Sequence, residues 1–328
     1  MRWLGKTGVK VSRVALGTMS FGGDADEATA GAIWRAALDA GVNLIDTADV
    51  YNEGRSEEIT GRLMAGMRDS LVLCTKAYFP TGKGPNDRGA SRYHLVRAVE
   101  ASLRRLATDR IDVFYLHRFD DVADLGGTLR AVDDLVRAGK ILYPAVSNYA
   151  AWQVAHALGL QALYGLSPLV AIQPMYNLVK RTAEIEILPM CASLGIGAIP
   201  YSPTGGGLLT GKYGVGRAPE TGRLLDNKMY ATRYASSAAY EVAEKFCAFA
   251  RDYGESPAAL AVAWVASHPA VTSVLVGGRN VEQLAPTLAA NSMELDSETR
   301  ARISALSPEP PPPTDRNEEA TANNYGTR

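Results

Sequence analysis

The sequence predicts an α/β fold, and within that class a (β/α)8 barrel of the TIM type. Eight apolar runs rich in Val, Ile and Leu recur along the chain, separated by polar loops and stretches with helical periodicity. Runs that are apolar throughout are typical of buried parallel strands, and their alternation with helices predicts a parallel sheet. Eight units close a barrel, although a doubly wound sheet would accept the same units. The predicted strands are 14–18, 42–48, 71–76, 111–117, 141–148, 169–176, 196–203 and 271–278.

Amphipathic stretches between these runs supply the predicted helices. Residues 26–40 place apolar side chains at i, i+3, i+4, i+7 and i+8, and Gly41 provides the stop signal. Ser91 can cap a helix whose inner face carries four apolar side chains at the same spacing. A further apolar stripe ends before Gly139. Each predicted helix can therefore cover one face of the sheet.

Three segments lie outside this repeating pattern. Residues 2–11 predict a small β-hairpin that caps the bottom of the barrel. Residues 204–235 form a long segment without clear periodicity, and such loops in compact enzymes are usually functional covers or disordered. Residues 307–328 are Pro-rich and then polar, so they cannot bury enough apolar surface to fold. We therefore expect a barrel domain over 1–306 and a flexible tail over 307–328.

The composition argues against several classes of protein. In 328 residues, 34 Lys and Arg nearly balance 35 Asp and Glu, so neither nucleic acid nor an anionic membrane surface is an expected partner. No apolar run approaches the roughly 18 residues of a membrane span. The three cysteines are scattered, which fits a reducing compartment. We expect a cytoplasmic protein, and a homo-oligomer is compatible with the sequence.

Polar side chains end the predicted strands at the edge where a barrel carries its active site. The loops that follow the strands converge on the barrel axis, so residues there meet even when they are distant in sequence. The second, third and fourth runs end in Asp46, Lys76 and His117, and Tyr51 lies in the turn after the second run. The later runs carry Ser147, Asn148, Gln173, Tyr201 and Ser202.

The first four of these residues suit proton transfer coupled to hydride transfer. A carbonyl that accepts hydride becomes an alkoxide, so an acid must protonate it as the charge develops. The pKa of an unperturbed tyrosine is about 10, and the ammonium of Lys76 would lower the pKa of Tyr51. Asp46 would hold that ammonium, because an unpaired buried charge is costly. His117 could donate a hydrogen bond to the carbonyl oxygen.

Several segments resemble the aldo-keto reductases, in particular the bacterial branch that is similar to the β subunits of voltage-gated potassium channels. The likeness runs in the family's order from about residue 1 to 306, and the DTAxxY stretch at 46–51 is among its most specific parts. It implies a barrel that binds NADPH (or NADP+) and reduces a small aldehyde or ketone, with Tyr51 as the general acid. The segments are LIDTADVYNEGRSEE, CTK, FYLHRFD, VSNY, IQPMYN, PYSPTGGGLLTGKY and VGGRNVEQL.

The same resemblance implies the cofactor-binding residues. Ser147, Asn148 and Gln173 match residues that hydrogen-bond the nicotinamide carboxamide, and Tyr201 matches the aromatic residue stacked on the nicotinamide ring. Arg279 suits a 2′-phosphate because its planar guanidinium can chelate it, which favours NADPH over NADH. The remaining matches are Ser202, Pro203 and Leu208 beside the pyrophosphate, and Gly277 and Gln283 beside the phosphate of the adenosine ribose.

Three departures from the family pattern stand out. Pro144 interrupts the fifth strand where a β-branched residue is expected, although the Ser–Asn pair follows intact. Thr204 replaces a common leucine, and the glycines at 205–207 loosen the loop after it. Thr287 stands where an Asn or Asp often helps to hold the adenine. We expect the site to survive the change at Pro144, whereas Thr287 leaves the affinity for the cofactor less well defined than its identity.

Two other functions are compatible with parts of the pattern. A cofactor-binding regulatory or partner protein could keep the barrel with little turnover, and the likeness to channel subunits favours this alternative. A barrel lyase or isomerase could use Lys76 as a Schiff-base nucleophile. That chemistry would leave Tyr51, Gln173 and Arg279 without a role.

Overall fold

A closed, parallel eight-stranded barrel surrounded by helices is the architecture of this chain. The computed structural model describes residues 1–314, 316 and 318, and over that range it confirms the predicted fold class. The eight strands pair in parallel, and strands that are neighbours in sequence are neighbours in space. The last strand pairs with the first, and a bridge between Ala198 and Val271 closes the remaining gap.

Each predicted run coincides with one observed strand to within a few residues. A short antiparallel pair precedes the barrel, as predicted for residues 2–11. The strands are β1 (Arg2–Trp3), β2 (Lys10–Val11), β3 (Val14–Gly17), β4 (Leu44–Asp46), β5 (Val72–Ala77), β6 (Ile111–Leu116), β7 (Ile141–Ser147), β8 (Ala171–Gln173), β9 (Gly197–Ala198) and β10 (Val274–Val276).

Helices follow the strands and pack their apolar faces on the outside of the sheet. Several begin at side-chain caps: the Ser91 hydroxyl accepts a hydrogen bond from the backbone amide of His94 at 3.2 Å, as the sequence predicted. The helices are α1 (Glu27–Asp39), α2 (Arg55–Leu63), α3 (Arg92–Leu106), α4 (Leu125–Arg137), α5 (Ala151–Tyr164), α6 (Ile187–Leu194), α7 (Arg223–Asp226), α8 (Lys228–Arg233), α9 (Ser237–Tyr253), α10 (Pro257–Ala266), α11 (Val281–Leu288) and α12 (Ser297–Ser304).

The hairpin formed by β1 and β2 closes the N-terminal end of the barrel. Leu4 and Val11 are fully buried and share one apolar cluster with the side chains that fill the barrel interior. Gly5 has a φ of +52, and a Cβ there would lie 2.8 Å from the carbonyl oxygen of Val170, just before β8. Only glycine fits so close to the strand ends. The interior cluster is Leu4, Val11, Ala15, Leu44, Cys74, Val113, Tyr115, Ala145, Ala171 and Ile199.

Pro144 lies inside β7 without ending the strand. It pairs in register with Phe114 of β6, and its carbonyl accepts a hydrogen bond from the amide of Val170 at 2.9 Å. In a strand, the amide and the carbonyl of one residue point to the same side, so an amide hydrogen at position 144 would also point toward β8. It would meet the chain before β8 begins at Ala171. The proline therefore removes no hydrogen bond between β7 and β8 proper. Ser147 lies at the C-terminal end of β7.

The segment 204–235 is more ordered than its sequence pattern predicted. It contains a 3₁₀ stretch (Gly205–Thr210) followed by α7 and α8. Three leucines and three tyrosines of the segment are buried in the main apolar core. No simple period was visible because short turns, rather than one helix or strand, place these side chains inward. They are Leu208, Leu209, Tyr213, Leu224, Tyr230 and Tyr234.

The predicted flexible tail lies largely beyond the described part of the chain. The part of the predicted flexible tail formed by residues 315, 317 and 319–328 lies outside the described residues. At the start of the tail, the Arg181 guanidinium donates to the carbonyls of Ser307 and Pro308, each at 3.4 Å. The end of the domain is thereby attached to the chain that follows β8.

Candidate active site

The four predicted catalytic residues lie together at the C-terminal end of the barrel. Asp46 is the last residue of β4, Lys76 lies in β5, and His117 directly follows β6. Tyr51 begins a 3₁₀ turn (Tyr51–Gly54) behind β4. Neighbouring parallel strands end at the same edge of the sheet, so the fold brings these side chains into one site.

A buried ion pair forms the base of the site. The Lys76 side chain is fully buried, and its ammonium contacts the Asp46 carboxylate and donates to the carbonyl of Thr47 at 2.7 Å. The other carboxylate oxygen of Asp46 accepts a hydrogen bond from the amide of Gln173 at 2.8 Å. Burial lowers the pKa of Lys76, but the charge of Asp46 and that of Tyr51 raise it, and the pKa ends above its ordinary value. The lysine therefore remains an ammonium.

Tyr51 faces this ammonium. The Lys76 Nζ lies 5.1 Å from the centre of the tyrosine ring. Burial raises the pKa of Tyr51, the Lys76 ammonium lowers it, and the Asp46 carboxylate raises it again; the balance lies above the ordinary value. The sequence led us to expect a lowered pKa. Lysine acts in that direction, but burial outweighs it, so the phenol keeps its proton at neutral pH.

The turn that carries Tyr51 is strained and braced. Asn52 and Glu53 have φ values of 49 and 59, in the left-handed region that side-chain-bearing residues rarely adopt. The Asn52 amide donates to the carbonyls of Met19 and Phe21 at 2.9 and 2.8 Å, which joins this turn to the loop after β3. The strained backbone next to Tyr51 is thus held by side-chain contacts with a neighbouring loop.

His117 is neutral and has unused hydrogen-bonding capacity. Burial lowers the pKa of His117 well below its ordinary value, and the Lys76 ammonium lowers it further. Its ring packs edge-on against Tyr51 and Phe79, with ring centres 6.1 and 4.9 Å away. Its Nδ1 is buried and has no hydrogen-bond partner among the described residues. A neutral imidazole keeps one N–H to donate, which suits the predicted contact with a carbonyl oxygen.

The residues predicted to bind the nicotinamide lie beside this group and bond largely to one another. The Ser147 hydroxyl donates to the carbonyl of Gln173 at 2.9 Å. The Asn148 amide donates to the carbonyl of His117 at 3.0 Å and accepts from the phenol of Tyr201 at 2.8 Å. Asn148, with a φ of 58, therefore holds both Tyr201 and the histidine loop. Both amide hydrogens of Asn148 are used, on His117 and Ser147, but its Oδ1 keeps a second lone pair that can accept a hydrogen bond from a carboxamide.

The residues predicted to border the pyrophosphate offer mainly backbone groups. Leu208 is fully buried in the apolar core and Pro203 is also buried, so their side chains face the protein. Ser202 has a φ of 60, and its carbonyl accepts from the amide of Asn177 at 2.9 Å. The predicted contacts with a pyrophosphate can therefore come from backbone amides and from the Ser202 hydroxyl.

The residues predicted to hold the adenosine ribose phosphate follow β10. The Gln283 side chain accepts a hydrogen bond from the backbone amide of Arg279 at 3.2 Å. The side chain of Arg279 is partly exposed to solvent. A Cβ on Gly277 would lie 2.8 Å from the carbonyl oxygen of Gly17, so glycine is needed here for strand packing. The Thr287 hydroxyl donates to the carbonyl of Leu284 at 2.6 Å within its own helix. Thr287 thus makes no use of its hydroxyl toward the pocket.

Two cations in the 204–235 segment were missed in the sequence. Burial lowers the pKa of Lys212, and the neighbouring charges of Arg279 and Arg223 lower it further. The carboxylate of Asp226 acts in the opposite direction on Lys212. The positive charges repel one another, and an anion bound among them would be stabilised. The residues present therefore fit a dinucleotide with a charged phosphate end and an uncharged, hydrogen-bonding nicotinamide end. The excess of basic residues in an otherwise aperiodic loop was the available sequence signal.

Other kinds of site find no support in the described part of the chain. Within residues 1–314, 316 and 318, no group of three or more His, Cys, Asp or Glu is placed to hold a metal ion. Over the same residues, no helix combines the length and apolar character needed to cross a membrane. All three cysteines are buried free thiols.

A (β/α)8 barrel with a tyrosine, a lysine–aspartate pair and a histidine at its C-terminal end defines a class of barrel oxidoreductases. The chain belongs to the Aldo/keto reductase family, which matches residues 13–308. It is 37% identical over 324 residues to "Uncharacterized oxidoreductase YrpG" of Bacillus subtilis (strain 168), covering 94% of this chain and 96% of that protein.

Two plant proteins are similarly related. The chain is 37% identical over 293 residues to a "Probable voltage-gated potassium channel subunit beta" of Oryza sativa subsp. japonica, covering 88% of this chain and 89% of the relative. A protein of the same name from Arabidopsis thaliana is 38% identical over 288 residues, covering 86% and 88%. The resemblance seen in the sequence motifs is thereby confirmed.

Proposed function

We propose that this protein reduces aldehydes or ketones to alcohols with NADPH, reversibly, with Tyr51 as the general acid. The observation that carries the proposal is the contact network in which the Lys76 ammonium joins Asp46 on one side and faces the ring of Tyr51 on the other. NADPH, when bound, supplies the hydride. The protein's own residues then have to orient the carbonyl and deliver a proton to its oxygen.

Each residue has a separate part in that task. The neutral imidazole of His117 donates its N–H to the carbonyl oxygen and directs it toward Tyr51. The Tyr51 phenol gives its proton as negative charge develops on that oxygen. The Lys76 ammonium stabilises the phenolate left behind, and Asp46 keeps the ammonium in place. The Gln173 amide in turn fixes the free oxygen of Asp46.

The cofactor preference rests on the phosphate end of the site. The charges of Arg279 and Arg223 both act to lower the pKa of Lys212, so the three positive groups share one part of the site. A 2′-phosphate would be bound favourably among them, which supports NADPH over NADH. Phe79, packed against His117, gives the substrate entrance an aromatic wall.

The test compares two tyrosines near the same lysine. Tyr51→Phe should reduce the rate of NADPH oxidation with a nitrobenzaldehyde by about 10²- to 10⁴-fold, the usual contribution of a general acid, and leave NADPH binding nearly unchanged. Tyr115→Phe removes the hydroxyl of the buried tyrosine whose ring centre lies 6.0 Å from the Lys76 Nζ, and should leave the rate within about twofold of wild type. Equal losses in both variants, or loss of NADPH binding in Tyr51→Phe, would contradict the assigned role.

A regulatory role is the second candidate, favoured by the names of the plant relatives. Such a protein would bind NADPH through the same residues and turn over little. The same assay decides between the two, since wild-type protein that binds NADPH but fails to oxidise it with a broad panel of carbonyls would support regulation. The intact group of Asp46, Tyr51, Lys76 and His117 supports catalysis.

A further inference from the structure

The loop between β3 and α1 contacts the chain at the end of β10, the strand that pairs with β3 in the barrel. The Ser20 hydroxyl donates to the carbonyl of Gly278 at 2.7 Å, which fixes the base of the loop to the residue before Arg279. The amides of Gly23 and Ala25 donate to the Ser20 carbonyl at 3.1 and 2.9 Å. These bonds form a tight turn with Asp24 at its tip.

Asp24 makes an ion pair with the residue assigned to the 2′-phosphate. Its Oδ2 lies 3.0 Å from the Nε of Arg279. The side chain of Asp24 is 53% exposed and that of Arg279 is 31% exposed, so the carboxylate can leave the guanidinium without crossing the protein. Within the described residues, Asp24 is the acidic residue with which Arg279 forms an ion pair.

A carboxylate and a phosphate bind a guanidinium through the same donor groups. A 2′-phosphate on Arg279 would therefore share those donors with Asp24, and its charge of about −2 would also repel the carboxylate. A dinucleotide with a free 2′-hydroxyl brings no such charge, and the ion pair can stay intact beside it.

Building on the NADPH site proposed above, we propose that Asp24 sets the preference between NADPH and NADH by competing with the 2′-phosphate for Arg279. With NADPH, Asp24 is displaced into solvent, which costs part of the binding free energy. With NADH, Asp24 remains on Arg279 and neutralises it. Asp24 therefore narrows the difference in affinity between the two cofactors and speeds release of the phosphorylated one.

The expected effect is modest because the pair is partly exposed and screened by solvent. Exposed ion pairs of this kind change equilibria by small factors, so Asp24→Asn should tighten NADPH binding about two- to fivefold. The affinity for NADH should stay within about twofold of wild type or weaken. The ratio of the two Kd values is the quantity that moves.

The experiment measures equilibrium binding, by calorimetry or cofactor fluorescence, of NADPH, NADH, adenosine 2′,5′-bisphosphate and 5′-AMP to the full chain. Glu27→Gln is the matched control, because Glu27 lies three residues away, has the same charge and pairs with Arg62 at 2.8 Å outside the site. Asp24→Asn should tighten the two 2′-phosphorylated ligands selectively, and Glu27→Gln should change none of the four. In an Arg279→Ala background, Asp24→Asn should lose its selective effect.

Three results would overturn the inference. Equal tightening by Asp24→Asn and Glu27→Gln would show a general charge effect. An unchanged or weakened affinity for NADPH in Asp24→Asn would show that no competition exists, while wild-type binding of NADPH would leave the proposed function standing. Wild-type protein that binds neither dinucleotide would remove the proposed function and this inference together.

Discussion

Two buried ion pairs lie on opposite faces of strand β5, and only one of them faces reactive groups. Lys76 points into the barrel and pairs with Asp46, whereas the adjacent Thr75 points outward and its hydroxyl donates to Glu57 at 2.6 Å. Glu57 pairs with Arg105 at 2.7 Å, which joins α2 to α3. Both pairs contain a fully buried side chain, so burial alone does not identify the catalytic one.

The difference lies in what surrounds each pair. In the outer pair, Glu57 and Arg105, both carboxylate oxygens of Glu57 accept hydrogen bonds from protein donors, Thr75 and Arg105. The inner pair, Lys76 and Asp46, faces the ring of Tyr51. The Nδ1 of the nearby His117 imidazole has no hydrogen-bond partner among the described residues. Unused hydrogen-bonding capacity beside a fixed charge is what allows the inner pair to act on a substrate.

The largest expected effect comes from removing the inner cation. Lys76→Met should lower kcat/KM for carbonyl reduction by about 10²- to 10⁴-fold, because the phenolate of Tyr51 loses its stabilising charge. The same change leaves the buried carboxylate of Asp46 without its cation, which should lower the unfolding free energy by about 3–5 kcal/mol. Steady-state kinetics and denaturant unfolding measure the two effects separately.

A double variant separates chemistry from stability at this pair. Lys76→Met with Asp46→Asn removes the stranded charge and keeps an acceptor for the Gln173 amide, so most of the lost stability should return. Activity should stay low. Recovery of activity together with stability would mean that the inner pair, like the outer one, serves the fold rather than the reaction.

The sequence predicted the barrel and the inner pair for one physical reason. Strands buried on both faces must be apolar, so an ionisable residue at the end of such a run, as at Asp46 and Lys76, stands out in the sequence. The eight runs placed the strands, and the proton-transfer chemistry of the four residues, together with the resemblance of the 46–51 segment, predicted the role of Tyr51. Strand bounds differed by a few residues because apolar residues continue into the loops.

The outer pair and the cofactor-end contacts could not be predicted in this way. Glu57 and Arg105 lie in charged, helical stretches where a buried pair looks the same as a solvated one. The partners Asp24 and Arg279 are far apart in the chain, and only the closed barrel brings them together. The use of the Asn148 amide on Tyr201 and His117 likewise depends on loop conformation that no local pattern specifies.

A smaller effect, on stability alone, is expected for the outer pair. Arg105→Met leaves the buried carboxylate of Glu57 without its cation and should lower the unfolding free energy by about 2–3 kcal/mol, less than for a fully buried pair because Arg105 is 24% exposed. The kcat of the folded enzyme should change less than twofold, roughly the scatter of neutral variants. A drop in kcat comparable to that of Lys76→Met would mean that the two pairs are coupled and would break the distinction drawn between them.

A pH-dependent effect on stability is expected for Asp49, whose carboxyl interacts electrostatically with residues of both pairs. It is 2% exposed, and neither of its carboxyl oxygens has a hydrogen-bond partner among the described residues. Burial raises the pKa of Asp49 to about 8, and the charge of Glu57 acts in the same direction, while Arg105 and Lys76 oppose it. The folded protein therefore holds a proton that the unfolded chain has already lost above pH 4 or so.

This proton makes the stability depend on pH in a defined direction. Between about pH 4 and 8 the native state binds one more proton than the unfolded state, so the unfolding free energy falls as pH rises, by at most about 1.4 kcal/mol per pH unit. Asp49→Asn imitates the protonated acid and should remove this part of the slope, with the variant gaining stability over wild type toward pH 8. Denaturant unfolding of both proteins across that range tests it. Parallel curves would show that Asp49 is ionised in the folded protein at neutral pH, with the charges of Arg105 and Lys76 compensating its own.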